Sequence, residues 1–472
     1  MPGQPVTSSS ALVPPDAEAV RVGVSSSPGG TVRLPGSKSI TNRALLMAAI
    51  AKGASLLRNP LDCDDSRHLS KALGQLGVPV RWEPDGSLHV TGAGGPFPIR
   101  DAEVFCGNAG TALRFLTGVL AACGGRYIVD GDARMRERPI GDLVRALSAL
   151  GADISAPTGC PPVHIGPRPF VGGRIDIPGN VSSQFVSAIL MAAPLASRRV
   201  EIRVTGELVS RPYIDLTIQG MWDFGARVYA NDRRDDGQPL FEVVAGHLYR
   251  AGERTIEGDA SAASYFYAAA AVTGSTVRVE GVGKETHQGD ARVADALAEM
   301  GCRVKKDQDA ITVTGPREIL DRLDLDCGDM PDVVPTLAVV ALFARGKTRL
   351  RGVAHLRHKE SDRIASMATE LRKLGAQVRE LADGLEIEGT LGPGPSALRA
   401  AAIESWGDHR VAMAFSVAAL AIPGIVIARP QVVSKSFPGF FGALRSIGAS
   451  VEYLGPGGAP LSGDERALEA RA

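Results

Sequence analysis

The sequence is poor in aromatic residues, carries no net charge and contains no clustered cysteines. Aromatic residues make up 5% of its 472 residues, while alanine and glycine are abundant, which favours helices packed closely through small side chains. A formal net charge of +0 without a basic stripe argues against a nucleic-acid partner. The six cysteines, at 63, 106, 123, 160, 302 and 327, form no Cys-x-x-Cys pair. This scatter predicts a reducing compartment, no disulfide framework and no cysteine-based metal site.

Lysine is also scarce, since only ten of the 52 basic residues are lysines. A lysine in a candidate site therefore stands out against an arginine-rich background. The N-terminal segment lacks a basic region followed by an apolar stretch, so no secretory signal is predicted and a cytoplasmic location is expected. Residues 1–18 are predicted to be a disordered leader, and residues 454–472 a loose tail.

One long uncharged run could be mistaken for a membrane span. It covers residues 411–428, VAMAFSVAALAIPGIVIA, but Pro423-Gly424 divides it. Neither piece approaches the ~20 apolar residues that cross a bilayer. The run predicts a buried helix followed by a short strand, and no membrane association.

A helix-to-strand turn recurs six times along the chain. In each copy an amphipathic helix ends in a large apolar residue, followed by Gly, a small residue, any residue and Val or Ile, as in KALGQLGVPV at 71–80. The turn glycines are Gly77, Gly151, Gly225, Gly301, Gly375 and Gly448. Their spacings of 74, 74, 76, 74 and 73 residues indicate six copies of one unit. We expect each glycine to end its helix in the left-handed conformation.

Each copy also contains a nearly uncharged, alanine-rich helix, and a helix that is apolar all round must be buried. These helices are predicted at about 42–51, 110–122, 183–195, 260–273, 331–344 and 409–421. The sequence therefore predicts an α/β fold of six units, each with one buried helix, one half-exposed helix and about three to four short strands of mixed pairing. Three units are expected on either side of a seam near residues 257–259.

Five of the six buried helices begin in motifs that a core does not need. They are SKSITNR (37–43), GNAGTALR (107–114), NVSSQF (180–185), DMPDVVPT (329–336) and GDHRVAM (407–413). A helix N-terminus favours an anion and disfavours a cation, because its free N–H groups carry partial positive charge. Lys38, Arg43, Arg114 and Arg410 nevertheless occur in these segments, and an anionic ligand would offset their repulsion. Helix capping alone accounts for Asn108, Ser182 and Asp408.

Three further segments add charge to this set: ARMRERPI (133–140), HKESDRI (358–364) and VVSKSFPGFF (432–441). Each charge run by itself is typical of a solvated surface. Together they supply many cations with few uncommitted carboxylates, chiefly Asp332 and Glu360. The pattern predicts a site for small molecules that bear several negative charges, with one or two groups for proton transfer.

Two alternatives come from other functional classes. A nucleotide-dependent phosphotransferase built on LPGSKSITNR (34–43) would need a Gly-Lys-Ser/Thr step, which is absent, and a Mg²⁺-binding Asp after a strand. A non-catalytic anion-binding repeat protein would not need Asp332 and Glu360 among its cations. An activity assay separates these possibilities.

Nine motifs, in order, resemble the 5-enolpyruvylshikimate-3-phosphate synthase family over about residues 30–452. They are LPGSKSITNR, GNAGTALR, RMRERPIGDL, VSSQF, SRPYIDLT, MPDVVPT, HKESDRI, DHRVAMAF and KSFPGFF. The resemblance implies two lobes, each of three βαβαββ units in an inside-out α/β barrel, with a cleft between them. It implies one lobe of residues 34–256 and another of 19–33 plus 257–453, in a monomer without metal or cofactor.

The resemblance also implies a reaction, the sixth step of the shikimate pathway. The enolpyruvyl group of phosphoenolpyruvate moves to the 5-hydroxyl of shikimate 3-phosphate by addition and elimination, and phosphate is released. Asp332 is the implied base, Glu360 the implied proton donor, and Lys38 the implied stabiliser of the intermediate. The implied contacts of shikimate 3-phosphate are Lys38, Ser39, Arg43, Ser182, Ser183, Gln184, Ser210, Tyr213, Asp332, His355 and Lys359. Those of phosphoenolpyruvate are Lys38, Gly110, Arg138, Gln184, Arg363, Arg410 and Lys435.

Two positions differ from the pattern of many relatives. His355 stands where many have Asn near the shikimate phosphate, and Phe115 stands where many have a Pro that helps to position the Gly110 loop. Gly110 leaves room for glyphosate, so inhibition by glyphosate is expected. A sister family transfers the enolpyruvyl group to UDP-N-acetylglucosamine and uses a reactive cysteine in a flexible loop. No cysteine here lies among the cationic motifs, and Cys106 is interpreted as the end of a strand.

Overall fold

The computed structural model of the chain describes residues 12–23, 29–231, 237–316, 320–390 and 398–461. The predicted leader lies outside the described residues up to residue 11, and the predicted tail lies outside them from residue 462. Residues 14–17 pack onto the protein, since Ala17 is buried and Nε2 of Gln431 donates to the carbonyl oxygen of Pro14 at 3.2 Å. The chain divides into two compact units. Unit 1 holds the described residues up to Pro35 and from Gly258 onward, and unit 2 holds Gly36–Glu257.

The described residues form twelve α-helices. They are α1 (Lys38–Ile50), α2 (Asp64–Gln75), α3 (Gly110–Cys123), α4 (Gly141–Ala149), α5 (Ser183–Ala192), α6 (Arg211–Asp223), α7 (Ala260–Thr273), α8 (Val293–Glu299), α9 (Val334–Val340), α10 (Arg363–Lys373), α11 (His409–Ala418) and α12 (Phe440–Ser446).

The strands of the described residues are short and number twenty-four. They are β1 (Ala19–Val22), β2 (Gly30–Arg33), β3 (Lys52–Arg58), β4 (Val80–Trp82), β5 (Leu88–Ala93), β6 (Asp101–Phe105), β7 (Arg126–Asp130), β8 (Ile154–Ser155), β9 (Val163–Ile165), β10 (Gly173–Pro178), β11 (Val200–Thr205), β12 (Val228–Asn231), β13 (Leu240–Val243), β14 (Glu253–Thr255), β15 (Thr276–Glu280), β16 (Arg303–Lys306), β17 (Ala310–Thr314), β18 (Asp324–Asp326), β19 (Lys347–Arg351), β20 (Gln377–Leu381), β21 (Gly384–Glu388), β22 (Ala402–Ile403), β23 (Val426–Ala428) and β24 (Val451–Leu454).

These strands build six four-stranded sheets with one shared pattern. In the sheet ordered β6-β7-β9-β8, β6 and β7 are parallel across α3, while β9 pairs antiparallel with both β7 and β8. The same order appears in β10-β11-β13-β12 and β18-β19-β21-β20. The predicted α/β fold of repeated βαβαββ units is therefore confirmed, because the parallel pair needs a helical crossover and the last two strands form a hairpin.

Three sheets are completed by strands that are distant along the chain. In unit 2, β14 pairs parallel with β3 in the sheet β14-β3-β5-β4. In unit 1, β2 pairs parallel with β15 in β16-β17-β15-β2, and β1 lies between β23 and β24 in β22-β23-β1-β24. Both N-terminal strands therefore belong to unit 1, while the intervening chain folds as unit 2.

The predicted buried helices are all present at the centres of the units. Every residue of α3 is buried, and a Cβ at its Gly118 would lie 2.6 Å from the carbonyl oxygen of Ala188 on α5. Small residues thus let these two helices approach closely. The helix predicted at 331–344 is divided into the 3₁₀ turn Pro331–Val333, α9 and the 3₁₀ turn Ala341–Phe343. Proline is the physical reason at its start, since Pro331 and Pro335 have no N–H to donate.

The six repeat glycines follow the amphipathic helices as predicted. Their φ angles lie between 83° and 105°, in the region that favours glycine. The uncharged run at 411–428 is also divided as predicted, because α11 ends at Ala418 and β23 begins at Val426. Among the described residues, none of the helices has the length and apolar character that a bilayer crossing requires.

Candidate active site

The centre of the candidate site in unit 1 is the guanidinium of Arg363, the first residue of α10. Asp362 caps this helix by accepting hydrogen bonds from the backbone N–H groups of Ile364 and Ala365 at 3.1 and 3.0 Å. The cap fixes where the helix begins and so where Arg363 points. The side chain of Arg363 is only 2% exposed, although a guanidinium is almost never buried unless it is paired.

Three carboxylates surround this guanidinium. Nε of Arg363 donates to Oδ2 of Asp408 at 2.7 Å, Nη1 to Oδ1 of Asp332 at 2.8 Å, and Nη2 to Oε2 of Glu360 at 2.7 Å. Burial lowers the pKa of Arg363, but the charges of Asp408, Glu360 and Asp332 together raise it above its ordinary value. Arg363 is therefore a permanent cation that organises both predicted catalytic carboxylates.

Two more cations reach the same carboxylates. Nη2 of Arg410 donates to Oδ2 of Asp332 at 2.6 Å, and Nζ of Lys435 lies 3.7 Å from Oε1 of Glu360. Arg410 and Lys435 are both buried. We define the arginine–carboxylate cluster as Asp332, Glu360, Arg363, Asp408, Arg410 and Lys435. Five of these six residues were predicted as site residues, and the structure brings them together.

Asp408 is the member that the sequence interpretation treated only as a helix cap. It does cap α11, because Oδ1 accepts the backbone N–H of Arg410 at 2.9 Å. Its side chain is 0% exposed, and its second oxygen also accepts from Oγ of Ser361 at 3.2 Å. One carboxylate therefore joins the start of α11 to the start of α10.

His355 and Lys359 lie on the segment that leads into α10. His355 is buried in the 3₁₀ turn Ala354–His358, and its Nε2 has no hydrogen-bond partner within the described part of the chain. Burial, reinforced by the charge of Lys359, lowers the pKa of His355 to about 3. The imidazole is therefore neutral at physiological pH and can accept or donate a hydrogen bond without adding charge.

In unit 2, Lys38 is the first residue of α1, where a cation opposes the helix dipole. Its Nζ lies 3.4 Å from Oδ2 of Asp65, a buried residue in the first turn of α2. Asp65 was not predicted as a site residue, because two adjacent aspartates at a helix start are explained by capping and the dipole. Its charge compensates Lys38, whose side chain is 11% exposed.

Gly110 and Arg138 lie against each other. A Cβ at Gly110, the first residue of α3, would lie 2.8 Å from both Nη1 and Nη2 of Arg138. Nη1 of the buried Arg138 donates to Oδ1 of Asn108 at 3.1 Å. The missing side chain at position 110 therefore makes room for a guanidinium at this helix start.

Gln184 lies in the first turn of α5 and is held from two sides. Its Oε1 accepts from Nη1 of Arg114 at 2.7 Å, and its Nε2 donates to Oγ1 of Thr111 at 3.2 Å. Ser182 caps α5 by accepting the backbone N–H of Gln184 at 3.3 Å, and Ser183 is buried beside it. Arg114 thus orients a predicted binding residue.

The guanidinium of Arg43 makes more hydrogen bonds within the protein than its predicted role in ligand binding suggests. Its Nε donates to Oγ1 of Thr217 at 2.7 Å, Nη1 to the carbonyl oxygen of Ser39 at 2.9 Å, and Nη2 to that of Tyr213 at 2.8 Å. Burial lowers the pKa of Arg43 to about 10, with Tyr213 acting in the opposite direction. The ring of Phe115 lies 5.0 Å from the guanidinium carbon. Phe115 therefore supports this arginine.

Ser210 precedes α6 with φ of 58° and is buried. A left-handed conformation is uncommon for a residue other than glycine, and such strain tends to occur at functional sites. The backbone N–H of the half-buried Tyr213 donates to the carbonyl oxygen of Ser210 at 3.1 Å. This turn places two predicted binding residues next to the Arg43 contacts.

All six cysteines are free, and five of them are buried. Burial raises the pKa of the Cys106 thiol to about 12, with the charges of Asp130 and Asp65 acting in the same direction. Cys106 directly follows β6, as predicted. It does not have the lowered pKa of a reactive cysteine.

Comparison with solved structures first identifies the class of fold. The enolpyruvyl transferase NikO from Streptomyces tendae shares the fold at a TM-score of 0.76 and 18% identity, over 93% of this chain and 100% of that chain. The EPSP synthase from Acinetobacter baumannii gives a TM-score of 0.76 at 28% identity, over 92% of this chain and 99% of that one. The fold is thus that of an enolpyruvyl transferase.

Sequence comparison is more specific. The family described as EPSP synthase (3-phosphoshikimate 1-carboxyvinyltransferase) matches residues 25–444. The 3-phosphoshikimate 1-carboxyvinyltransferase of Thiobacillus denitrificans is 50% identical over 423 residues, covering 89% of this chain and 96% of that protein. That of Trichormus variabilis is 46% identical over 414 residues, with 87% and 94% covered. The chain belongs to the EPSP synthase family. It is an enzyme, a transferase of aromatic amino-acid biosynthesis through the shikimate pathway.

Proposed function

We propose that the helix starts described above bind shikimate 3-phosphate and phosphoenolpyruvate and transfer the enolpyruvyl group to the 5-hydroxyl. The observation that carries the proposal is the arginine–carboxylate cluster, in which one buried guanidinium holds two carboxylates suited to proton transfer. A purely structural ion pair would not need two additional cations at the same carboxylates. Anionic substrates give these cations a function.

The proposed contacts of shikimate 3-phosphate are Lys38, Ser39, Arg43, Ser182, Ser183, Gln184, Ser210, Tyr213, Asp332, His355 and Lys359. Arg43 has few hydrogen-bond donors available for shikimate 3-phosphate. A guanidinium has five N–H donors, and four of those of Arg43 are directed at Thr217, Ser39, Tyr213 and Ser187. One Nη1 hydrogen remains for a phosphate, so Arg43 acts mainly by fixing the backbone of Ser39 and Tyr213.

The proposed contacts of phosphoenolpyruvate are Lys38, Gly110, Arg138, Gln184, Arg363, Arg410 and Lys435. Arginine is suited to this set because its planar fork matches both carboxylate and phosphate groups. Four donors of Arg363 are directed at Asp408, Asp332 and Glu360, which leaves one on Nη1 for the substrate. Arg410, which donates to Asp332, and Lys435, whose Nζ lies 3.7 Å from Glu360, supply the further cations of this set.

The reaction needs four balanced events. Asp332 takes the proton of the 5-hydroxyl while the hydroxyl oxygen bonds to C2 of phosphoenolpyruvate, and Glu360 protonates the CH₂ carbon. The C–O bond to phosphate then breaks, and the departing phosphate takes up the proton that Asp332 received. The new methyl group returns one proton to the ionised Glu360, which restores the double bond. Lys38 stabilises the developing charge as a fixed cation.

In the proposed site, substrate binding activates these carboxylates. Asp332 is paired with Arg363 and Arg410, and Glu360 with Arg363 and Lys435. Two neighbouring cations favour the ionised form of a carboxylate, so the carboxylate takes up a proton less readily and is a weak base. The anionic groups of phosphoenolpyruvate would draw Arg410 and Lys435 away and thereby raise the proton affinity of both carboxylates.

We further propose that glyphosate inhibits the enzyme at the Gly110 side of the site, that the protein is a monomer, and that it acts in the cytoplasm. The absence of a side chain at Gly110, against which Arg138 lies, supports the first point. A transfer to UDP-N-acetylglucosamine is disfavoured by the buried, unreactive Cys106. Light scattering measures the molar mass in solution, and the mass of a dimer would contradict the proposed monomer. Full activity in the presence of millimolar glyphosate would contradict the proposed inhibition.

The test is an assay of the purified protein with both substrates, reading phosphate release and the enolpyruvyl ether. We expect Lys38→Ala to abolish turnover with unchanged circular dichroism. Lys52→Ala is the matched control, because Lys52 is an exposed lysine in the same unit. A near-normal rate for Lys38→Ala would contradict the site. Transfer to a UDP-sugar in place of shikimate 3-phosphate would contradict the proposed substrate.

A further inference from the structure

A buried glutamate on α10 has no role in the proposed reaction. Glu370 lies two helical turns after Arg363, and its side chain is 0% exposed. A buried carboxylate is costly unless it is paired and hydrogen-bonded. Nζ of Lys373 lies 2.7 Å from its Oε2, Nε1 of Trp406 donates to its Oε1 at 2.8 Å, and the backbone N–H of Glu404 donates to its Oε2 at 3.1 Å. Two of these three donors belong to the loop between β22 and α11.

This loop, which we call the Trp406 loop and define as residues 404–407, turns the chain in a strained conformation. The carbonyl oxygen of Ser405 accepts the backbone N–H of Asp408 at 2.9 Å, and the φ angles of Trp406 and Gly407 are 56° and 67°. Positive φ at both central residues of a turn normally selects glycine, asparagine or aspartate. A tryptophan in this conformation is strained, so its contacts have to offset that strain.

The helix α10 holds this segment at two points. Residues two turns apart lie on the same face of a helix, ~10 Å apart along its axis. At the first point Nε of Arg363 donates to Oδ2 of Asp408 at 2.7 Å. At the second point Glu370 accepts the indole N–H of Trp406. Glu404 reinforces the second point, because its Oε1 accepts the backbone N–H of Trp406 at 3.2 Å.

We propose that Glu370 is a positioning residue that holds the Trp406 loop and thereby places Asp408 for the binding of phosphoenolpyruvate. The inference rests on the proposed function, in which Arg363 and Arg410 bind that substrate. Asp408 accepts hydrogen bonds from the guanidinium of Arg363 and from the backbone N–H of Arg410. Without Glu370 the turn relaxes its positive φ angles, Asp408 moves, and both arginines move with it.

This arrangement predicts different effects on the two substrates. Arg363 and Arg410 are both proposed contacts of phosphoenolpyruvate, and neither is a proposed contact of shikimate 3-phosphate. Loss of the contacts of Glu370 should therefore raise the KM for phosphoenolpyruvate and change the KM for shikimate 3-phosphate less. A smaller amount of folded enzyme would instead lower the maximal rate and leave both KM values unchanged.

The first test compares the steady-state kinetics of the full-length wild type, Glu370→Gln and Trp406→Phe. Glutamine keeps the shape of the side chain with one acceptor oxygen instead of two, and phenylalanine keeps an aromatic ring without the indole N–H. We expect the KM for phosphoenolpyruvate to rise about tenfold in each variant, the size expected for the loss of one hydrogen bond to a charged group. The double variant should show no more than the larger single effect, because both changes break the same contact.

Two substitutions serve as matched controls. Trp222→Phe removes an indole N–H that donates to the carbonyl oxygen of Val228, on a tryptophan that is 52% exposed, against 46% for Trp406. Glu380→Gln removes a carboxylate that pairs with Arg372 of α10, but its side chain is 33% exposed. Both KM values of these controls should stay within about twofold of the wild type, as is usual for surface substitutions.

Fluorescence quenching tests the loop contact independently of the reaction. The chain has three tryptophans, so replacing Trp82 and Trp222 by phenylalanine leaves Trp406 as the only one. Acrylamide should quench Trp406 more strongly after Glu370→Gln, because the indole is no longer held against a buried carboxylate.

Three results would overturn the inference alone: unchanged quenching, equal changes in both KM values, or an unchanged KM for phosphoenolpyruvate in Trp406→Phe. The last of these decides the question if Glu370→Gln does not fold. A wild type without transfer activity would overturn the proposed function, and with it the link to phosphoenolpyruvate, while quenching would still decide whether Glu370 holds the Trp406 loop.

Discussion

The substitution Asp408→Asn removes a fully buried negative charge and keeps the shape of the side chain. Oδ2 of Asp408 accepts from Nε of Arg363 at 2.7 Å, and the two side chains are 0% and 2% exposed. Asparagine caps a helix about as well as aspartate, so the hydrogen bond from the backbone N–H of Arg410 should survive. The substitution therefore isolates the ion pair.

The expected loss of stability follows from burial. Removing one partner of a buried ion pair costs about 3–5 kcal/mol, because the other charge is left without compensation. Arg363 keeps Asp332 at 2.8 Å and Glu360 at 2.7 Å, so we expect the lower end of that range, about 3 kcal/mol.

Denaturant unfolding followed by circular dichroism measures this loss as a lower midpoint at an unchanged slope. Asp142→Asn is the matched control, since it breaks a pair with Arg145 whose side chain is 75% exposed. Such a surface pair contributes up to about 1 kcal/mol. If Asp408→Asn lowered the free energy of unfolding by no more than Asp142→Asn does, Arg363 would not be a desolvated cation, and the buried ion pair would be contradicted.

Three further substitutions test other parts of the site. Gly110→Ala would place a Cβ 2.8 Å from both terminal nitrogens of Arg138. Because this Cβ would displace Arg138, a proposed contact of phosphoenolpyruvate, steady-state kinetics should show a higher KM for phosphoenolpyruvate than in the wild type. An unchanged KM would contradict this contact. Thr217→Val removes the oxygen that Nε of Arg43 donates to at 2.7 Å, and unfolding curves should show a loss of about 1–3 kcal/mol for the unsatisfied donor; a neutral effect would mean that water replaces the hydroxyl. Burial lowers the pKa of His355 from 6.5 to about 3. Between these two pH values the unfolded chain binds a proton that the folded protein does not, so the free energy of unfolding falls as the pH drops below 6.5. His355→Asn removes this effect, and parallel stability curves for the two proteins would contradict it.

Much of the fold could be predicted because the repeat leaves a local signal in each copy. A glycine that ends a helix and a run of small apolar residues are both explained by a few neighbouring positions. All six glycines and all six buried helices appear where that signal places them. The division of the helix at 331–344 was missed, although Pro331 and Pro335 were visible, because proline is also accepted in the first turn of a continuous helix.

The candidate site was less predictable where one residue has two functions. Asp408 was interpreted as a cap, which it is, but its contact with Arg363 joins positions 45 residues apart. Asp65 is a second example, because its partner Lys38 lies on another helix. Nothing in the local sequence reports a distant ion partner, so only the folded chain reveals the pairing of these two carboxylates.

Arg43 shows the opposite case. Its position at a helix start suggested a direct ligand contact, whereas its guanidinium is mainly occupied by Thr217, Ser39 and Tyr213. Its predicted contact with the shikimate phosphate stays a prediction. A charge pattern shows that a cation is unusual, but only the structure shows how many of its donors are already used.

The most direct test of the account follows the bridging oxygen of phosphoenolpyruvate. Addition and elimination break the C–O bond and leave the P–O bond intact. Phosphoenolpyruvate labelled with ¹⁸O between C2 and phosphorus, incubated with shikimate 3-phosphate and the enzyme, should release phosphate that carries the label, as read by mass spectrometry. Label retained in the organic product, or no product at all, would contradict the mechanism and the roles assigned to Asp332, Glu360 and Lys38.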